Sequence, residues 1–110
     1  MKNFIQPGAN LTVAAPYDVS AGAGLLVGAL FGIAQDAAAS GGDVVMVRGG
    51  VFEVAKTSAQ AWTIGAKIYW DDTNKLFTTT ATSNTLCGVA LAAAANPSET
   101  GTVLLDGAIR

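Results

Sequence analysis

The chain has 110 residues, 51% hydrophobic and only 13% charged, with a formal net charge of −2. That length makes one domain, residues 1–110, with a modest core, and the high apolar share excludes intrinsic disorder. The six basic residues, Lys2, Arg48, Lys56, Lys67, Lys75 and Arg110, stand singly, so the clustered positive field that phosphate binding needs is absent and no nucleic-acid partner is expected.

The opening, MKNFIQPG, lacks a secretory h-region and cleavage pattern, so synthesis in a reducing cytoplasm is expected. Phe4 to Gly8 reads as an extended arm ending in a Pro-Gly turn, with Phe4 and Ile5 as apolar anchors. Leu11 to Ala15 alternates as a short strand that Pro16 stops, and Tyr17 to Gly22 follows as a loop.

Gly24 to Ala34 is the most apolar run. Gly24, Gly28 and Gly32 form a GxxxGxxxG pattern, a packing face in a membrane helix. Its apolar part is about 11 residues, short of the roughly 20 that span a bilayer. At period two, Leu25, Val27, Ala29, Phe31 and Ile33 share one face, which gives a long buried strand or two strands bent at a glycine. Gln35 to Ser40 has helix propensity but is too short to stand alone.

Asp43 to Asp71 is the centre of the chain and carries its densest β-branched and aromatic content. Gly49-Gly50 interrupts the apolar run at Arg48 as a turn or bulge would, and Val51 to Ala55 resumes as a strand. Ser58 to Trp62 has room for one helical turn, a small lid carrying Trp62, before Lys67 to Trp70 returns as a strand. Asp71 to Lys75 is a hairpin turn leading into Leu76 to Thr80. Thr85 to Ala95 echoes the earlier run, Cys87-Gly88-Val89-Ala90 beside Phe31-Gly32-Ile33-Ala34, as paired strands or a duplication would. Ala92 to Ala95 is helical by propensity alone, and Thr102 to Ile109 closes the chain as a strand. About eight short strands at regular spacing predict an all-β barrel or sandwich with minimal helix.

No histidine is present and Cys87 is the single cysteine. An intrachain disulfide and the usual transition-metal, Ser-His and Cys-His sets are therefore excluded, and Cys87 reads as a small buried hydrophobe. No catalytic, cofactor-binding or metal-ligating residue is assigned, and an enzyme is not expected.

Two motifs imitate chemistry. Gly50 to Thr57, GVFEVAKT, is a degenerate phosphate loop with alanine at the second glycine. Its interior of valines, phenylalanine and glutamate is wrong for a backbone cradle. On that reading Lys56 is dispensable, and Lys56→Ala leaves stability largely intact. Asp71-Asp72 with Asn74 resembles part of a calcium loop but lacks the closing glutamate. Trp62 and Trp70 read as core or interface anchors.

The order of short motifs resembles the small phage and prophage capsid cement, or head decoration, proteins, some of whose relatives carry an automatic phage recombinase label. The likeness runs from MKNFIQPG and Pro16 through Val27-Gly28, Phe31-Gly32-Ile33-Ala34 and Gly50-Val51-Phe52-Glu53-Val54 with Lys56. It continues through Trp62, Gly65, Tyr69-Trp70-Asp71, Thr78-Thr79 and Gly88-Val89-Ala90, with Arg48, Gly49 and the alanines 92–95 as departures. The resemblance implies a non-catalytic virion protein that binds the major capsid protein on the assembled head, as a homo-oligomer with a trimer favoured. Its interface candidates are Phe4, Ile5, Trp62 and Trp70. Two other readings stand beside it: a nucleotide- or DNA-associated recombination protein using Gly50–Thr57, and a small membrane-active protein using Gly24–Ala34.

Overall fold

The computed structural model describes residues 8–107, and among them the chain forms nine strands and no helix. They are β1 (Asn10–Ala14), β2 (Gly24–Val27), β3 (Leu30–Ala34), β4 (Asp43–Val47) and β5 (Gly49–Ala55), then β6 (Lys67–Asp71), β7 (Leu76–Thr78), β8 (Thr85–Ala90) and β9 (Thr100–Asp106). Antiparallel pairing orders them β1-β4-β3-β2 in one sheet and β5-β9-β8-β6-β7 in the other. The expected all-β class holds, with one strand more than anticipated. The sheets are open, as in a sandwich, not closed into a barrel. In the second sheet, Lys56, just past β5, meets Phe77 of β7 at an isolated parallel bridge, so the sheet curls toward its own far edge.

The apolar run Gly24–Ala34 is two strands, not one strand or a helix. Leu26 pairs with Phe31 and Val27 with Leu30, leaving Gly28 and Ala29 as a two-residue loop. Gly28 has φ +60° while Ala29 does not take a positive φ, the type II′ pattern whose twist suits a hairpin. So the GxxxGxxxG spacing is shared between two strands and a turn. No helix of the described residues is long and apolar enough to cross a membrane.

Arg48 is neither a turn nor a bulge. It alone separates β4 from β5, and the chain changes sheets there. Its backbone N–H donates to Ala9 O at 2.9 Å. Its guanidinium donates to Gly8 O at 2.7 Å and to Gly107 O. One side chain therefore fastens the start of β1 and the end of β9 at the crossing.

The sheets share a core. Phe31 of β3 reaches Trp70 of β6 at 5.5 Å and Phe77 of β7 at 5.7 Å, with Trp70 and Phe77 5.1 Å apart. Gly24 of β2 lies under the Trp70 ring, where an added Cβ would stand 2.5 Å from the indole. Gly101 of β9 lies under Trp62 in the same way. Across the seam, Lys75 sits 3.9 Å from the centre of the Tyr17 ring. The Tyr17 hydroxyl donates to Gly24 O at 3.1 Å and accepts from Leu26 N–H at 3.3 Å, capping the edge of β2.

Helix stays out of the described residues as expected, and the three short segments with helix propensity all form other contacts for one reason. Around residues 35–40, Ala38 pairs with Val19, and in the alanine run Ala94 pairs with Trp62. Ser58 to Trp62 is a turn that delivers Trp62 to that bridge, with Trp62 N–H donating to Ala94 O at 2.9 Å. Segments this short gain more from one long-range bridge than from an isolated helical turn. The echoing segments are not paired either, since they are inner strands of different sheets, β3 and β8.

Candidate interaction surfaces

Phe4 and Ile5 lie outside the described residues. Trp62 and Trp70 are 1% and 2% exposed, so in the single chain they fill the core and offer a partner almost no surface. The structure does not bring these two together with any surface contact group.

The degenerate phosphate loop does not exist as a loop. Gly50 to Ala55 is strand β5, with Val51 paired to Leu104 and Val54 to Gly101. Lys56 is 2% exposed. Its Nζ donates to Thr57 O at 2.9 Å and Ser98 O at 3.2 Å, and lies 5.9 Å from the Trp62 ring centre. An ammonium held by carbonyls and an indole face cannot reach a phosphate. No phosphate loop is formed here, and the burial and carbonyl bonds of Lys56 run against the expectation that it is dispensable.

Asp71 and Asp72 are turn-formers. The Asp71 carboxylate accepts from Thr73 N–H at 3.0 Å, Asn74 N–H at 3.1 Å and Asn74 Nδ2 at 2.8 Å. The Asn74 bonds, backbone first, hold its carboxyl below the ordinary aspartate value. Asp72 accepts from Trp70 Nε1 at 3.0 Å and pairs with Lys75 at 2.9 Å. Among the described residues no three potential metal-ligating side chains cluster. Beside this turn lies an open cleft of about 370 Å³ lined by hydroxyls and amides. Its groups bond one another, as where Gln60 donates to Thr78 Oγ1 at 2.9 Å and accepts from Thr79 N–H at 3.0 Å. These bonds fix the loops around the cleft.

The open surface is the outer face of the second sheet. Along β9, Gly101, Val103 and Leu105 point inward, leaving Thr102, Leu104 and Asp106 on the other side. Leu104 pairs with Val51 on one side and Val89 on the other, and Val89 pairs with Lys67. These four form a row across β5, β9, β8 and β6. A shallow groove of about 230 Å³ runs beside it, floored by Leu86, Val89 and Leu104. Val51 is 53% exposed and Leu91 44%. Leu91 follows β8 with its N–H donating to Thr102 O at 3.0 Å, which carries the face one row further. Sequence reading missed this face, although the signal was there: Val51 to Phe52 and Val103 to Leu105 are apolar at successive positions.

Two antiparallel sheets, an outer face that mixes Val51, Val89 and Leu104 with Lys67, Thr102 and Asp106, and polar clusters that hold turns define a small β domain. A family model described as phage cement protein matches residues 5–105. The chain belongs to the phage cement protein family, a structural phage family associated with the capsid. Comparisons with curated proteins and with solved structures find no match.

Proposed function

We propose that this protein binds the assembled phage head through its major capsid protein and stabilises the shell, as a non-catalytic virion component made in the host bacterial cytoplasm. The observation that carries this reading is the family match across residues 5–105. Sparse charge supports it, because a surface with few charges has little to desolvate when it docks. The mechanism is binding energy alone: a ligand that engages only the assembled lattice stabilises that lattice by mass action. Within this reading the arm that includes Phe4 and Ile5 is the anchor, adding to a neighbour's sheet edge by main-chain hydrogen bonds.

The test is sedimentation of the purified chain with expanded capsids and, separately, with unassembled capsid subunits. Saturation at a fixed ratio on capsids only, with a raised bursting temperature, is the expected result. Equal binding to free subunits, or none to capsids, rejects the reading. Deleting Met1 to Gln6 tests the anchor, and undiminished decoration by the folded truncation removes the arm from the mechanism.

A further inference from the structure

We propose that the groove on the outer face of the second sheet seats this chain's own N-terminal arm, with the Phe4 ring on its apolar floor. The proposal concerns the free chain and stands or falls apart from the capsid reading. Where the arm is also the anchor, the capsid competes with this groove for it. Residues 1–7 lie outside the described residues, and what selects the arm is the point from which it leaves. The Arg48 guanidinium donates to Gly8 O at 2.7 Å and, through its other terminal nitrogen, to Gly107 O. Gly107 directly follows β9, on which Asp106 and Leu104 face outward. The arm is therefore delivered to the head of the groove, which Lys67, Leu86, Gly88, Val89, Leu104 and Asp106 line. These residues belong to three neighbouring strands, β6, β8 and β9, so the curl of the sheet does not part the walls.

Reach and pattern agree with this seat. Leu104 lies about 10 Å from Gly107 along β9, and an extended arm carries Phe4 about 14 Å from Gly8. Phe4 and Gln6 share one side of an extended chain, as Leu104 and Asp106 share one side of β9. Each arm residue is one position further from its glycine than its counterpart, so both pairs meet in one register. Phe4 then lies over Leu104 and Val89 in a groove of about 230 Å³, room for one aromatic ring. Gln6 stands at the entrance, where its side-chain amide donates to the Asp106 carboxylate. Lys67 closes the far wall with its aliphatic stem and keeps its ammonium in water. Thr102, one outward position beyond Leu104, stays outside the groove. Ile5 faces away from the sheet and remains available to a partner.

Nuclear Overhauser contacts in the full chain test this. The Phe4 ring is expected to touch the methyls of Leu104 and Val89, and the ring current to shift those methyls upfield. Leu104→Glu charges the floor and should abolish the contacts, with far-ultraviolet circular dichroism confirming that the variant is folded. Phe4→Ser tests the same seat from outside the described fold. It should remove the upfield shifts of Leu104 and Val89 and leave the methyls of Leu11 and Val13 in β1 unmoved. In an equal mixture of isotope-labelled and unlabelled chains, the contacts should remain within one copy. A Phe4 ring that touches no groove methyl, or contacts that survive Leu104→Glu, overturn the proposal. Contacts found only between copies overturn it too, and make the groove a seat for a neighbour's arm.

Discussion

Lys56 shows how the same residue changes meaning between sequence and structure. In the sequence it completes a nucleotide motif; in the fold its ammonium ties the Thr57 and Ser98 carbonyls beneath Trp62. Lys56→Ala should cost about 1.5–3 kcal/mol, the range for hydrogen bonds to a charged group, because the carbonyls lose their donor. Lys56→Met keeps the aliphatic stem but loses the same bonds, so most of the loss should persist in urea melts; a Met variant as stable as the wild type would show that packing alone matters. Gly24 is decided by space. A methyl 2.5 Å from the rigid Trp70 ring must displace it, so Gly24→Ala should destabilise by about 1–3 kcal/mol. Asp71 is decided by charge. Its pKa is lower in the folded chain than in the unfolded one, so its contribution to stability is present above the ordinary aspartate value of about 4. It is lost as pH falls through the depressed folded value. A carboxyl titration followed by NMR should give a midpoint below that of an unstructured aspartate. An ordinary midpoint would show that the Asn74 bonds do not persist in solution.

Elements were legible where pattern and turn chemistry agreed. The alternation of Leu11 to Ala15, the β-branched run from Asp43 and the Asx-rich turn at 71–75 each lie on or within a residue or two of the observed elements. Gln35–Ser40, Ser58–Trp62 and Ala92–Ala95 carry helix propensity yet serve distant partners, and the propensity of four to six residues cannot register Val19, Ala94 or Trp62. The same blindness hid the site. Val51 was recognised as a strand residue, but which face it occupies depends on its pairing with Leu104. The edge of β2 gives a test at this scale. Burial raises the Tyr17 phenol above its ordinary value, so across neutral pH the hydroxyl keeps its proton to donate to Gly24 O. Tyr17→Phe removes both edge bonds, at about 1–2 kcal/mol. The Leu26 amide should then exchange with solvent much faster than those of β4. Unchanged Leu26 protection would mean that the edge is guarded by something other than the phenol.

At the scale of the molecule the question is whether two sheets make one cooperative unit. They are joined covalently through Arg48, and they are joined in the core by Phe31, which leaves its own sheet to touch Trp70 and Phe77. Single domains of this size unfold as one unit when the core is shared. Both tryptophans are anchored on the second sheet, Trp70 in β6 and Trp62 against β9, in a core cluster that Ile33 of β3 also enters. Tryptophan fluorescence therefore reports the second sheet, whereas far-ultraviolet circular dichroism reports both. In the wild-type chain the two urea transitions should coincide. Phe31→Ala removes the ring that bridges the sheets, and Phe31 is only partly buried, so a loss of about 2–3 kcal/mol is expected, below the range for a fully buried ring. The sharper expectation is that the two transitions separate, with dichroism falling first as β1 to β4 melt from a second sheet still holding Trp70 against Phe77. Transitions that stay coincident in the variant would place the coupling elsewhere, in the Arg48 crossing and the contact of Lys75 with Tyr17.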